Sequence, residues 1–234
     1  MRAWNDPAGS LPWQPEAVHV WLALMPDGAQ PDSSTLSAEE KDRASRLRFE
    51  RDRSLFIHHH TALRAILSGY TGQAPEHMTL TAAQGGKPRL NPDCGGWRFN
   101  LSHAGSAALV AVARGREVGV DIERVRPVAG AAAIAARFFA PPECGAMRDL
   151  PAASREAGFL ACWTRKEAFI KATGEGLGRN LHSFTVPVEP ADSGPWRIEG
   201  WSVLALPPPP GYIAALAVEG EPPTVHCWRY VPPE

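Results

Sequence analysis

The chain lacks any charge imbalance: 24 Lys and Arg stand against 25 Asp and Glu, a formal net charge of -1. No global basic field advertises a nucleic acid, so an anionic ligand has to be met by a local cluster of Lys and Arg. Cysteine is scarce and unpatterned. Cys94, Cys144, Cys162 and Cys227 show no CxxC spacing, which argues against a zinc site and supplies no disulfide framework. No apolar run approaches the ~20 residues of a membrane span, and the stretch MRAWNDPAGS has no signal-peptide core. Nor is there a residue-level repeat. These absences leave a cytoplasmic enzyme or binding protein as the expectation, without nucleic-acid or membrane partners.

Proline, by contrast, is abundant, 23 of 234 residues against a usual ~5%. The prolines gather in the first fifteen residues, at Pro207–Pro210 and in the C-terminal tail. Apolar strands lie between them, so they read as stiff loops and termini rather than a disordered segment. The length allows one large domain or two modest ones.

Val18–Leu24 reads as a strand. Ser37-Ala-Glu-Glu40 is a capping-box signal for a short helix toward Phe49, and a second helix is expected from Asp52 to Ser68, ending near Gly69. The densest basic stretch, Arg43, Arg46, Arg48, Arg51 and Arg53, lies along them. It is a solvated face unless another anion-binding feature converges on it. His58-His59-His60 cannot share one metal, because adjacent helical residues point ~100° apart; one of the three is free to face a ligand. Trp97–Leu101, Ala107–Ala113 and Glu117–Glu123 read as three strands of an antiparallel meander, the first breaking at Ser102–Gly105. A helix over Ala129–Phe139 follows. Glu143 sits just past two prolines, where an N-terminal capping role is its plain reading. After a long helix that stops at Gly174 come strands Phe184–Val188, Trp196–Leu206, Tyr212–Val218 and Thr224–Tyr230. The halves look alike, and they divide the chain into lobes at 1–115 and 116–234.

Two features carry chemistry. Asp121 and Glu123, two apart on a strand, leave the same face, while Val120 and Ile122 leave the other. The plainer account is an amphipathic strand with its acidic side in water; against it, a like-charged pair side by side is mildly unfavourable without a cation, and oxygen ligands without Cys or His suit a hard ion such as Mg²⁺. On the long helix, Phe159, Leu160, Trp163, Glu167 and Ile170 share one face, so a carboxylate stands in an apolar stripe. A buried lone carboxylate is costly unless paired or metal-bound. The plainer account is a Glu167–Lys171 pair at i,i+4, worth ~0.2–0.5 kcal/mol. Lys166 and Lys171 flank the stripe.

The ordered set GKPRL (87–90 at its end), FNLSHAG, VGVDIE, RFFAPPE and WTRKEAFIKATGEGL, spanning 85–177, resembles the 4'-phosphopantetheinyl transferase family in its two-lobed, surfactin-type branch. The resemblance implies an α+β fold of two similar lobes related by a pseudo-twofold, each with an antiparallel sheet packed on helices, with coenzyme A between them. It implies transfer of the 4'-phosphopantetheine arm from coenzyme A to a serine of an acyl or peptidyl carrier protein, Mg²⁺-dependent, by a monomer, releasing adenosine 3',5'-bisphosphate. By motif, Asp121 and Glu123 match the metal carboxylates and Glu167 the third ligand or general base. Lys171 matches the lysine at the diphosphate, with Lys166 its neighbour. Ser102 and His103 match residues near the 3'-phosphate, Lys87 and Pro88 the segment beside adenine, and Glu143 an acidic residue near the catalytic centre. Relatives carry a second-helix arginine for the 3'-phosphate; its counterpart by spacing falls at Leu55–His58, leaving Arg48, Arg53 or His58 for that role. The segment Arg137–Arg148 is a candidate carrier surface, unless Phe138 and Phe139 are core. Two rival readings are another metal-dependent phosphoryl-transfer enzyme and a non-catalytic binder of coenzyme A or carrier protein.

Overall fold

Seven of the eight residues of AVHVWLAL are buried, so this first strand is covered on both faces, and the rest of the fold explains by what. A computed structural model describes residues 4–6 and 13–232, with the side chains of Gln84 and Leu177 excepted. Most of the MRAWNDPAGS stretch and its proline-rich continuation, like the last two residues, lies outside the described residues. In chain order the elements are β1 (Ala17–Leu24), α1 (Ala38–Ser45), α2 (Glu50–Thr71), β2 (Leu80–Ala82), β3 (Pro88–Leu90), β4 (Trp97–Ala104), β5 (Ala107–Arg114) and β6 (Val118–Arg124). Then follow α3 (Ala131–Phe138), α4 (Pro141–Asp149), α5 (Arg155–Thr173), β7 (Trp196–Ile198), β8 (Trp201–Ala205), β9 (Tyr212–Glu219) and β10 (Thr224–Tyr230).

Two four-stranded sheets result, ordered β10-β1-β5-β4 and β6-β9-β8-β7. Each contains the same unit: a strand, a long helix, then two strands of which the later one pairs with the first. β1, α2, β4 and β5 make one copy and β6, α5, β8 and β9 the other. The inner faces of the sheets share one core, in which Val18, Val20, Leu109 and Ala111 meet Val118, Val120, Ile122 and Leu216. On the outer face of the first sheet α2 lays down Leu63, Ile66 and Leu67 against Trp21, Val110 and Val112. On the outer face of the second, α5 packs Phe169, Ile170 and Ala172 against Val203, Ala215 and Ala217. The order helix, sheet, sheet, helix explains β1: it is buried from both sides. The fold is α+β, as the sequence leads one to expect.

Four expectations change. β6 does not continue a meander with β5; after Arg114 the chain crosses to the second sheet, where β6 pairs with β9. β10 returns to the first sheet and pairs in parallel with β1, His19 opposite His226. That sheet is therefore not purely antiparallel, and a strand from beyond residue 115 completes it. The run 196–206 is two strands, folded back so that Ile198 faces Trp201. Finally, 184–188 is no strand. Its polar backbone groups are taken by side chains: Phe184 and Pro187 carbonyls accept from Lys166 and Arg165, and Val186 N–H donates to Glu143. With those groups satisfied, the apolar pattern has no ladder to join. Smaller shifts are that α2 runs to Thr71 and ends at Gly72 rather than near Gly69, and that β4 extends through Ser102 and His103.

Candidate active site

α5 has to lie very close to β6 for their side chains to meet, and Gly119 makes that possible. A Cβ there would stand 2.2 Å from the Ala168 carbonyl oxygen and 2.3 Å from Ala172 N. Any side chain would push the helix off the strand. With the helix seated, Asp121 and Glu123 on the outer face of β6 look toward Glu167 and Lys171 on α5.

The cluster is strongly polar, with Asp121 and Ser102 buried and Glu123, Glu167 and Lys171 half-buried. Asp121 is 4% exposed. Its Oδ1 accepts from Lys171 Nζ at 2.5 Å and from Ser102 Oγ at 2.8 Å. Lys171 also donates to Ser102 Oγ at 2.9 Å. The other oxygen, Asp121 Oδ2, is buried with no hydrogen-bond partner. Burial raises the pKa of Asp121 despite the lysine. Burial, then repulsion from Asp121, raises that of Glu123. Glu167 is raised by burial first and then by Asp121 and Glu123. Three carboxyls that resist ionising, all because they are buried and Glu123 and Glu167 also because they face other carboxylates, are a site awaiting positive charge beyond what Lys171 supplies. Among the described residues, no three acidic, His or Cys side chains stand in ready ligand geometry. The orphaned Oδ2 and an all-oxygen donor set nevertheless fit a hard divalent cation better than a transition metal.

From this cluster a cleft leads along the boundary of the lobes. Its inner part, 210 Å³, is lined by Gly85–Pro88, Asn100, Glu167, Lys171 and Gly174. Pro88 and Asn100 also line a 940 Å³ space running past β2 and α1 to Arg43 and His103. Those two residues reappear around an adjoining hollow with His59, Arg51 and Leu55. Volumes of this order suit a small-molecule ligand. Val120 N–H donates to Asn100 Oδ1 at 2.9 Å and so holds β6 to β4 at the cleft floor. The His103 ring stacks on His59, centroids 4.8 Å apart. Its pKa is lowered by burial against its neighbours, then by His60, Lys171 and Arg43.

The structure brings Asp121, Glu123, Glu167, Lys171 and Ser102 together, and His103 and Pro88 along the same cleft. It gives other expected residues different work. Lys166 is fully buried and points away, its Nζ bonded to the Leu181 and Phe184 carbonyls and to Glu143 Oε1 at 2.7–2.8 Å. Glu143, 2% exposed, uses its other oxygen on Ala140 N–H, the capping role its position suggests. This pair is satisfied within the protein, and neither Glu143 nor Lys166 lines the cleft. The reason is helical: Lys166 and Glu167 are adjacent and point ~100° apart. Lys87 is also committed, with its ammonium on Glu117 Oε2 at 2.8 Å and on the Val118 and Ala172 carbonyls at 2.9 Å. Arg53 is taken by Glu50 and the Leu47 carbonyl, while exposed Arg48 lies over Phe49. Neither lines the cleft, and His58 is buried with no part in lining it. The arginine beside His103 is Arg43, carried on α1 and packed over Phe56. The basic stretch of the sequence contained it, and the tertiary fold keeps Arg51 in the same hollow while Arg46, Arg48 and Arg53 line no part of it.

Comparison with known proteins shows what the chain as a whole is similar to. A family model described as "4'-phosphopantetheinyl transferase superfamily" matches residues 117–204. A second, "4'-phosphopantetheinyl transferase, N-terminal", matches residues 13–115. The chain is 35% identical to the 4'-phosphopantetheinyl transferase HetI of Nostoc sp., over 97% of this chain and 98% of that one. It is 35% identical to the transferase psf-1 of Bacillus pumilus over 64% of this chain and 63% of the relative. It is 28% identical to the transferase Sfp of Bacillus subtilis, over 65% and 66%.

Proposed function

The chain belongs to the 4'-phosphopantetheinyl transferase superfamily and is an enzyme of that kind; from that premise we propose that it moves the phosphopantetheine arm of coenzyme A onto a serine of an apo carrier protein, with Mg²⁺. The observation that carries this reading is the convergence of Asp121, Glu123, Glu167 and Lys171 at one end of a cleft whose other end holds Arg43 and His103. Negative charge at both ends of an extended ligand would be met there: a diphosphate near the carboxylates and lysine, a phosphate near the arginine and histidine.

Asp121, Glu123 and Glu167 are the residues that would hold the ion. A bound Mg²⁺ would neutralise diphosphate charge and stabilise the departing oxygen. Lys171 supplies fixed positive charge where charge builds up. Phosphoryl transfer asks for such positioning more than for covalent catalysis. The carrier serine oxygen attacks the phosphorus that bears the pantetheine, the bond to the bridging diphosphate oxygen breaks, and adenosine 3',5'-bisphosphate leaves. The serine proton passes to a carboxylate of the cluster or to a water held by one, and Glu167 is our candidate because it lines the inner part of the cleft. The same reading has the enzyme work as a monomer in the cytoplasm.

The test is the intact mass of an apo carrier protein after incubation with coenzyme A, Mg²⁺ and this protein. A gain of one phosphopantetheine is expected. Tight binding of coenzyme A with no mass gain on any carrier would favour a non-catalytic binder, and hydrolysis of coenzyme A instead of transfer would favour another phosphoryl-transfer enzyme.

A further inference from the structure

Lys87 lies in the turn that leads into β3, and its ammonium crosses to the second lobe. It meets Glu117 Oε2 and the Val118 carbonyl at the start of β6, and the Ala172 carbonyl in the last turn of α5. Helix-terminal carbonyls have no partner within the helix, and a lysine there both satisfies one and suits the helix dipole. Ala172 directly follows Lys171, the residue bonded to Asp121 and Ser102. The same turn is wedged against the helix end by Gly85, where a Cβ would come within 1.8 Å of the Gly174 carbonyl. Glu117 gathers Arg89 at 2.8 Å and Arg98 at 3.1 Å as well as Lys87. Burial would raise this carboxyl, yet the bonds from Lys87 and Arg89 hold its pKa below the ordinary range. With Lys87 only 8% exposed, a buried ion pair of this kind is poor evidence for stability and better understood as fixing geometry.

We propose that Lys87 is a positioning residue: held by Glu117, it ties the turn of the first lobe to the last turn of α5 and so sets where Lys171 stands in the cleft. The proposal rests on the transferase reading above. It differs from a ligand contact, because all three ammonium protons already have acceptors within the protein. It also assigns a role to Glu117, which lines no part of the cleft described above.

The experiment compares Lys87→Met, Glu117→Gln and the double variant in steady-state transfer to an apo carrier, with coenzyme A and carrier varied separately. Displacing a group by ~1 Å can cost ~100-fold in rate. We expect both single variants to lose about tenfold or more in kcat, with the KM for coenzyme A changed less than about threefold, and the double variant to be no worse than the poorer single one. A structural role alone would lower the melting temperature and leave kcat of the folded enzyme intact, which overturns the proposal. So does a ligand-contact pattern, in which Lys87→Met raises the KM for coenzyme A while Glu117→Gln behaves as wild type. Should Lys87→Met not fold, Glu117→Gln decides the matter: wild-type kcat refutes. An inactive wild-type enzyme refutes the transferase reading itself and is told apart by that control.

Discussion

Lys171 Nζ stands 2.5 Å from Asp121 Oδ1 and leaves Asp121 Oδ2 buried without a partner. One oxygen of the carboxylate is thus neutralised by the protein and the other is available to an ion. Asp121→Ala removes that available oxygen, and Lys171, 29% exposed, can turn to water without stranding a buried charge. Transfer is expected to fall by ~100-fold or more, while the melting temperature without Mg²⁺ stays level or rises, because repulsion among the carboxyls is relieved. Calorimetry should show Mg²⁺ binding to wild type and not to the variant. Wild-type Mg²⁺ affinity in Asp121→Ala would contradict the assignment.

The two ends of the cleft should separate kinetically. Lys171→Ala is expected to lower kcat more than it weakens binding of adenosine 3',5'-bisphosphate, which lacks the bridging diphosphate. His103→Ala, altering the end beside Arg43, should weaken that product and penalise coenzyme A while sparing dephospho-coenzyme A. Equal penalties on the two substrates would remove His103 from the 3'-phosphate.

Much of this site was legible in the sequence because its signals are local. The two-residue step from Asp121 to Glu123 and the four-residue step from Glu167 to Lys171 fix faces irrespective of the fold. What was illegible depends on segments distant in the chain. Lys166 looks like a second site cation until residues 181–184 return to place two carbonyls on it. Glu143 and Lys166, 23 positions apart, give no periodic sign of their pairing. The parallel return of β10 beside β1 is likewise set by the shared core, not by any turn signal. Gly119 was readable in principle as a glycine inside a strand, a sign of close backbone approach.

The Glu143–Lys166 pair yields a stability test. Lys166→Met leaves a carboxylate buried beside apolar residues, a change of about 3–5 kcal/mol in such settings. Replacing both partners by apolar residues should cost less than Lys166→Met alone. Denaturant titration measures this. If Lys166→Met keeps wild-type stability and instead loses coenzyme A affinity, the ligand-facing role returns.

Acid sensitivity should trace to Glu40, absent from the sequence-based site. It closes the capping box on Ser37 and binds Arg64 Nε at 2.7 Å and His60 at 3.0 Å. Burial pushes its pKa up, but bonds from His60, the Ser37 N–H and Arg64 outweigh this and bring it from 4.5 to about 2. A folded pKa below the unfolded one means stability that is full above about 4.5 and lost as pH falls toward about 2. Glu40→Gln should therefore flatten the decline of melting temperature across that window while lowering stability at neutral pH. Parallel pH profiles for the two proteins would exclude Glu40 as the source.

On the proposed reading a carrier protein needs a surface near β6, and the structure narrows the candidate segment. Phe139 is buried and Phe138 half-buried against Trp163, so the phenylalanines belong to the core. Met147 and Arg148 remain, lining a 550 Å³ groove with four alanines of α3 and with Arg155, Glu156 and Phe159 from α5. A carrier helix with an apolar side chain for the groove and acidic residues for the arginines would suit it. With few charges involved, salt should slow transfer only modestly, through the on-rate. Met147→Ala and Arg148→Ala are expected to raise the KM for carrier protein several-fold, in line with loss of ~1 kcal/mol at an interface, and to leave the KM for coenzyme A alone. Because neither residue lines the cleft between the lobes, a change confined to the coenzyme A value would mean the groove affects the cleft through the fold. In that case, as when neither KM moves, the carrier docks elsewhere.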